Sequence, residues 1–373
     1  VRWTASLRAA GASGHFVTPV LDGRGRVGGV TTDGVLLLFA RETGELAVPA
    51  FELPGAAGPP AIPAPPGLLA GGLHDESFVQ PMWNLVFGRE IEVANTPAVH
   101  PTSGRIYVTA SAAAPGEGVL YGIDVLDDGA RIAFAFPMKQ GSGTSPALSP
   151  DGALVYAAGD DGVMVAVDAE SGALVWRAAD TAAAASPSVG GDGTVYSTTA
   201  QQGLVALDGR TGARRWQVGV DALAEEWLAR SPERGRRIAR VNSIITVTEG
   251  TVWVVLDLGY LLRLGETPVA QPHRFAVVAV DPADGSVRAA TEIHGSSSAL
   301  FVPGDDGRAW VSLVAASTSM QFHGVNPQLP EALRAPGPPV AGLVALAPAA
   351  PGAYLRDAVD ALRTALARVA LPD

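Results

Sequence analysis

Three side chains in this 373-residue sequence, His15, Glu92 and His294, are of the types a divalent cation takes as ligands. Two imidazoles and a carboxylate that converge can hold Zn²⁺ or Fe²⁺ with positions left open for water or substrate. Such a metal would support hydrolase, lactonase or lyase chemistry by activating its bound water. Arg240 and Asn242 would then orient an anionic or carbonyl group, and Asn95 and Thr144 would add oxygens and hydrogen bonds. Other chemistries are closed. With no cysteine there is no thiol nucleophile, thiolate metal site or disulfide, and Lys139 is the only lysine, which removes Schiff-base catalysis and a Walker-type loop. Asp127-Asp128-Gly129, Asp160-Asp161-Gly162 and Asp305-Asp306-Gly307 lack the spacing and distal glutamate of a calcium loop and read as β-turns. Gly141-Ser142-Gly143 leads into a strand, not into the helix N-terminus a phosphate would need. Ser296-Ser297-Ser298 lies near His294, but no acid can be assigned to orient the pair.

The charge balance narrows the partners. There are 26 basic against 37 acidic side chains, a formal charge of −11. Nucleic acid and anionic lipid both call for a basic surface, so neither is expected. No apolar run reaches the roughly 18 residues of a spanning helix, and the chain reads as soluble.

An internal repeat must position these residues. Residues 145–176 read SPALSPDGALVYAAGDDGVMVAVDAESGALVW, and residues 186–216 read SPSVGGDGTVYSTTAQQGLVALDGRTGARRW. Both hold a small residue plus Pro, a D-G turn, a β-branched residue plus Tyr, an apolar run ending in Asp, a T/S-G turn and Trp. Each copy therefore encodes four short antiparallel strands, A to D, which is the unit of a propeller blade. Weaker copies open at Thr18-Pro19, Thr96-Pro97, Asn242-Ser243 and Ser297-Ser298, making six. Tyr107, Tyr156, Tyr196, Trp253 and Trp310 fall in one strand-B column, with Gly28 the exception, and should pack between blades.

The sixth copy lacks strand D. Val1-Arg2-Trp3 matches the missing piece, so the N-terminus is expected to pair with 343–347 and close the ring. Residues 351–372 place Leu355, Val359, Leu362, Leu366 and Val369 at helical spacing opposite charged residues, an amphipathic helix docked on the flank. The expected architecture is all-β: a six-bladed β-propeller over 1–350, closed by the N-terminal strand, with a C-terminal amphipathic helix over 351–373.

The blades resemble the PQQ-like repeat, shared by quinoprotein dehydrogenases and the propeller lipoprotein of outer-membrane barrel assembly. The resemblance is clear over 145–216, moderate over 96–136 and faint elsewhere. It implies the propeller, not the cofactor, since the repeat describes blade packing. Quinoprotein dehydrogenases are longer, with eight blades, and many use a vicinal disulfide this chain cannot make. The G-x3-W signature stands only at Gly172/Trp176 and Gly212/Trp216, so bound PQQ is not expected. By analogy with relatives of the repeat, a periplasmic or extracellular location is expected.

Loop lengths carry the functional expectation. In such a blade the A–B and C–D turns share one rim, the bottom, while B–C and D–A connections share the top. The bottom turns are uniformly short, as in SPDGA and AESGA, whereas 52–92, 110–118, 217–241, 257–274 and 315–340 all belong to the top. Loops on a rigid scaffold are where function concentrates. Trp83, Trp227 and Phe322 in these insertions should pack as a cap or wall a docking surface, and His74, His273 and His323 read as solvated or packing histidines. The expectation is a monomeric binding or scaffold module that takes a protein or small-molecule ligand on its top face. The alternative is the metal-dependent enzyme above, with its active site at the channel mouth.

Overall fold

The structure is a computed structural model. It describes residues 2–57, 92–112, 114, 116–139, 144–179, 181, 185–199, 203–230, 236–241, 244–248, 250–264, 267–293, 301–303, 309–313 and 342–346. The C-terminal helix expected over 351–372 lies outside them, as do 58–91 and 314–341.

The described strands fall into six antiparallel sheets in chain order. The first holds β1 (Val20–Leu21), β2 (Arg26–Val30), β3 (Val35–Ala40) and β4 (Phe51–Glu52), and the second β5 (Ala98–Val99), β6 (Ile106–Ser111), β7 (Glu117–Val125) and β8 (Ala130–Lys139). The third holds β9 (Ala147–Leu148), β10 (Leu154–Ala158), β11 (Met164–Asp168) and β12 (Leu174–Ala178). The fourth holds β13 (Ser188–Val189), β14 (Thr194–Thr198), β15 (Leu204–Asp208) and β16 (Arg214–Val218). Helix α1 (Val220–Arg230) follows. The fifth sheet holds β17 (Arg236–Val241), β18 (Thr246–Thr248), β19 (Thr251–Leu264), β20 (Thr267–Val280) and β21 (Val287–Ile293), and the sixth β22 (Phe301–Pro303), β23 (Ala309–Leu313) and β24 (Gly342–Leu346). The first strands β9, β13, β18 and β22 touch one another in series, as blades do around a propeller axis.

The repeat alignment holds residue for residue. Tyr107, Tyr156, Tyr196, Trp253 and Trp310 pair across to Ala98, Ala147, Ser188, Thr246 and Val302, and Gly28 pairs to Val20. The three tyrosines are buried, and each ring meets the strand-D aromatic of its own sheet: Phe134 at 6.1 Å, Trp176 at 5.8 Å and Trp216 at 5.9 Å. The apolar core is therefore a set of wedges between neighbouring sheets. Val30, Leu36 and Leu38 face Ile106, Val108 and Tyr121, and Tyr156, Met164 and Trp176 face Val195, Val205 and Leu207.

Two of these wedges are pinned at the bottom end by an indole. Trp176 Nε1 donates to the Gly209 carbonyl at 2.8 Å, and Trp216 Nε1 donates to the Pro282 carbonyl at 2.8 Å. Each acceptor directly follows the aspartate, Asp208 or Asp281, at the end of strand C of the next sheet. The indole lies flat over the glycine of that C–D turn: a Cβ on Gly212 would come within 2.7 Å of the Trp176 ring. Gly212 also has φ of +73°, so the turn excludes a side chain on two counts.

Trp3 makes the same contact with the first sheet. Its Nε1 donates to the Arg41 carbonyl at 2.8 Å, its ring covers Gly44, and it meets Phe39 at 6.4 Å. On the first sheet its indole thus takes the place that Trp176 and Trp216 take on the sheets that follow theirs. The expected backbone ladder is different. Among the described residues, β24 pairs only with β23, and residues 2–6 form no strand. The segment is held by side chains instead: the Trp3 dock, the Arg2–Glu42 ion pair at 3.2 Å, and the packing of Ala5, Leu7 and Ala10 on Val35, Leu37 and Phe39.

A second difference lies in the fifth sheet. Residues 257–274, expected as a loop, continue strands B and C into one long hairpin, with β17 paired along it from Arg236↔Leu261 to Val241↔Leu256. The insertion before the sheet supplies a third strand, so the projecting backbone finds its hydrogen bonds there.

Candidate functional site

The insertions meet on one rim wherever they are described. The hairpin of β19 and β20 and strand β17 stand together on the fifth sheet, and Leu223 and Ala224 of α1 are buried against Ala239, Val241, Leu256 and Leu258. Residues 56–57 bridge to the end of strand B in the second sheet, through the Ala56–Ala112 pair and Ala57 N donating to the Ser111 carbonyl at 3.0 Å. The opposite rim keeps short turns. Asp168, Asp208 and Asp281 stand at the end of strand C and cap the following turn, and the hydrogen bonds they accept hold each below the usual carboxylate range: from Ser171 Oγ and N on Asp168, from the Arg215 guanidinium and Thr211 on Asp208, and from Ala283 N and the Arg288 guanidinium on Asp281.

The residues expected at the channel mouth come together in part. Asn95 and Thr144 are buried in a chain of hydrogen bonds that links successive sheets. Asn95 Nδ2 donates to the Thr109 carbonyl at 2.6 Å, Thr109 Oγ1 to the Thr144 carbonyl at 2.6 Å, and Thr144 Oγ1 to the Ala158 carbonyl at 2.7 Å. Thr96 N donates to Ser145 Oγ, whose own N donates to Ser186 Oγ. These short polar side chains satisfy backbone groups where the inner strands are too brief to pair.

His15 and Glu92 flank one residue. Thr32 N donates to the His15 carbonyl at 2.9 Å, and Glu92 N donates to the Thr32 carbonyl at 2.9 Å. The His15 side chain is exposed, while the Glu92 carboxyl is tucked against Gly34 at the B–C turn of the first sheet. Burial raises its pKa to about 7, with the Asp33 and Glu52 carboxylates adding to the rise. Asp33 behaves oppositely. Burial would raise it, but hydrogen bonds from Thr31, from Ser13 Oγ at 2.8 Å and from Ser13 N at 2.7 Å outweigh that and bring it to about 2. Two neighbouring carboxyls are thereby pushed apart, one half-protonated near neutrality and one ionised down to about pH 2.

Arg240 is paired rather than open. It faces Asp257 across β17 and β19, with Nη2 at 3.0 Å from the carboxylate, and so neutralises an acid buried within an apolar strand. Trp227 falls on α1, its side chain outside the described part. His294, Asn242, Trp83 and Phe322 also lie outside the described residues. Among the described residues no three of His, Asp or Glu are grouped closely enough to hold a metal.

Sequence reasoning missed Asp33 and Asp257. Asp257 had a signal, as the single charge in Val252–Leu258 (VWVVLDL), which calls for a cation on the facing strand. It also missed a cleft of about 500 Å³ on the bottom rim, between the third and fourth sheets.

Comparison with known proteins agrees with this architecture. Residues 98–301 match the family model described as outer membrane protein assembly factor BamB. Among solved structures, Sqt1 of Saccharomyces cerevisiae is 13% identical, over 78% of this chain and 66% of its own, with a TM-score of 0.51. BamB of Moraxella catarrhalis is 12% identical, over 77% of this chain and 78% of its own, with a TM-score of 0.40. The quinohemoprotein alcohol dehydrogenase ADHIIG of Pseudomonas putida HK5 is 14% identical, over 78% of this chain and 56% of its own, with a TM-score of 0.44. No curated protein sequence matches the chain. The family match takes in more than half of the sequence, and the chain belongs to the family of PQQ-like repeat β-propellers described as outer membrane protein assembly factor BamB.

Proposed function

We propose that this protein is an extracytoplasmic propeller scaffold that captures a protein partner on its top rim. One observation carries the reading: the insertions that are described build on one another on a single rim, while the other rim keeps only short capped turns. A rigid ring presenting one elaborated face is how loop-borne recognition is held in register. Membership in a family named for outer-membrane protein assembly supports both the location and the type of partner. The test is site-specific photocrosslinking in cells. Probes at the exposed Asp221 and Glu225 of α1 should yield a discrete adduct, and probes at the exposed Glu42 and Asp284 on the bottom rim should not. Equal yields from both rims would overturn the reading.

A second reading, a metal-dependent hydrolase, lactonase or lyase at the channel mouth, is favoured by the carboxyls around Glu92. Burial, and the Asp33 and Glu52 carboxylates beyond it, raise the cost of ionising Glu92, a cost that a proton or a bound cation relieves, although these three acids alone are not grouped closely enough to hold a metal. His15 and His294 would complete the ligand set. Elemental analysis of the purified protein and of its His15→Ala/His294→Ala variant decides it. Stoichiometric metal lost in the variant supports the enzyme, and none in the parent removes it.

A further inference from the structure

On the bottom rim, the seams between neighbouring sheets are plugged by arginine in two places and left open in a third. Between the first and second sheets, Arg24 donates to the Val125 carbonyl at 3.1 Å and the Ser103 carbonyl at 2.6 Å. Between the second and third, Arg105 donates to the carbonyls of Ala169 at 2.9 Å and Glu170 at 2.7 Å, and its Nε pairs with Asp124. The register aligns Ile106 with Val155, so Leu154 stands where Arg105 stood. With no guanidinium to fill it, the seam between the third and fourth sheets is the 500 Å³ cleft.

The cleft carries an unanswered polar group. Tyr156 is 1% exposed, its hydroxyl lies against the Cα of Gly209 on the cleft wall, and it makes no hydrogen bond among the described residues. Its counterpart Tyr107 donates to Ala169 at 2.9 Å, but in this seam the matching carbonyl of Gly209 is taken by the Trp176 indole. Of the charged groups lining the cleft, Arg215 is held between Asp192 at 3.2 Å and Asp208 at 2.9 Å. Arg210 swings outward, 86% exposed and 3.6 Å from Asp151. Three carboxylates against two guanidiniums leave one negative charge in excess.

We propose that this cleft is a binding site for a guanidinium group, an arginine side chain presented by a partner protein. The occupant is the group that the chain itself supplies in the two preceding seams. It would donate to the Tyr156 hydroxyl and the Asp151 carboxylate, with Leu154 against its methylene stem. The site faces away from the elaborated rim and is independent of the partner proposed there.

The test titrates the ¹⁵N-labelled full chain with N-acetyl-glycyl-arginyl-glycine amide and follows the Trp176 indole resonance. We expect a saturable shift with a roughly millimolar midpoint. The citrulline counterpart, which keeps the shape without the charge, and inorganic phosphate should produce none. Leu154→Arg, which supplies the missing plug from within, should abolish binding. Tyr156→Phe, which keeps the fold should Leu154→Arg fail to, should weaken it about threefold or more. No shift with the arginine peptide, an equal response to citrulline, a response to phosphate instead, or unchanged binding in a folded Leu154→Arg variant would each overturn the proposal.

Discussion

The indole of Trp3 and the carbonyl of Arg41 are joined by a hydrogen bond of 2.8 Å, in the geometry that Trp176 and Gly209 show between the third and fourth sheets. Only 38 residues separate donor from acceptor, so the dock can form on the first sheet alone. Trp3→Ala should remove this packing and destabilise the chain by about 2–4 kcal/mol. Trp3→Phe should cost nearer 1 kcal/mol, the worth of the lost hydrogen bond. Urea unfolding followed by fluorescence measures both. A Trp3→Ala variant as stable as the parent would show that the dock contributes nothing to the stability of the fold.

Gly212 and Trp176 should be energetically coupled. Gly212→Ala places a methyl 2.7 Å from the indole and strains a residue at φ +73°, at a cost of about 2–3 kcal/mol. In a Trp176→Ala background the steric part vanishes and only the backbone part of about 1–2 kcal/mol remains. A double-mutant cycle with a coupling below about 0.5 kcal/mol would contradict the contact.

The carboxyls of Glu92 and Asp33 should leave opposite marks on stability against pH. Glu92, raised to about 7, favours the fold while protonated, and that contribution fades as pH rises from about 4.5 through 7. Glu92→Gln should therefore match the parent near pH 4 and exceed it near pH 8, by on the order of 1 kcal/mol once solvent screening is allowed for. Asp33, lowered to about 2, stabilises the fold above its ordinary value and loses that contribution as pH falls towards 2. Asp33→Asn should destabilise at pH 7 and converge on the parent near pH 2. Thermal melts between pH 2 and 8 read out both, and parallel curves for Glu92→Gln and parent would refute the assignment.

Asp22 and Arg26 form an ion pair buried at the bottom of the first sheet, with Arg26 Nη2 left without a partner. Asp22 also accepts from the backbone N–H of Arg24 and Arg26. Asp22→Ala leaves a buried guanidinium and two amides unanswered and should cost about 3–5 kcal/mol. Arg26→Met removes the unpaired nitrogen together with the charge and should cost less. The reverse order in denaturant midpoints would show that the pair is not the buried contact described.

Much of the scaffold was legible because the repeat writes its geometry at fixed offsets. The Tyr column, the Asp that ends each strand C and the Trp over the next turn's Gly all follow from aligning 145–176 with 186–216. The role of Trp3 followed from three residues matching a missing strand, although its attachment by side chains did not. That depends on where a segment finds packing partners, which local pattern leaves open. The hairpin over 257–274 was hidden for a related reason. Its strand character depends on β17, a partner 20 residues upstream whose own sequence, RRIARV, shows little alternation. Of the site, Arg240 and Asn95 were expected at the channel mouth, but their partners Asp257 and Thr109 come from other strands and emerge only in three dimensions.

The hairpin of β19 and β20 has a mechanical consequence. A 14-residue strand is about 46 Å long, nearly three times the five-residue strands of the fourth and sixth sheets beside it. Its root is the same backbone that carries Val254 and Val278 into the wedge against the fourth sheet. With β17 laddered along it and a single shift in pairing at Leu258 and Gly259, a load applied to the hairpin would pass through backbone hydrogen bonds into the fifth sheet.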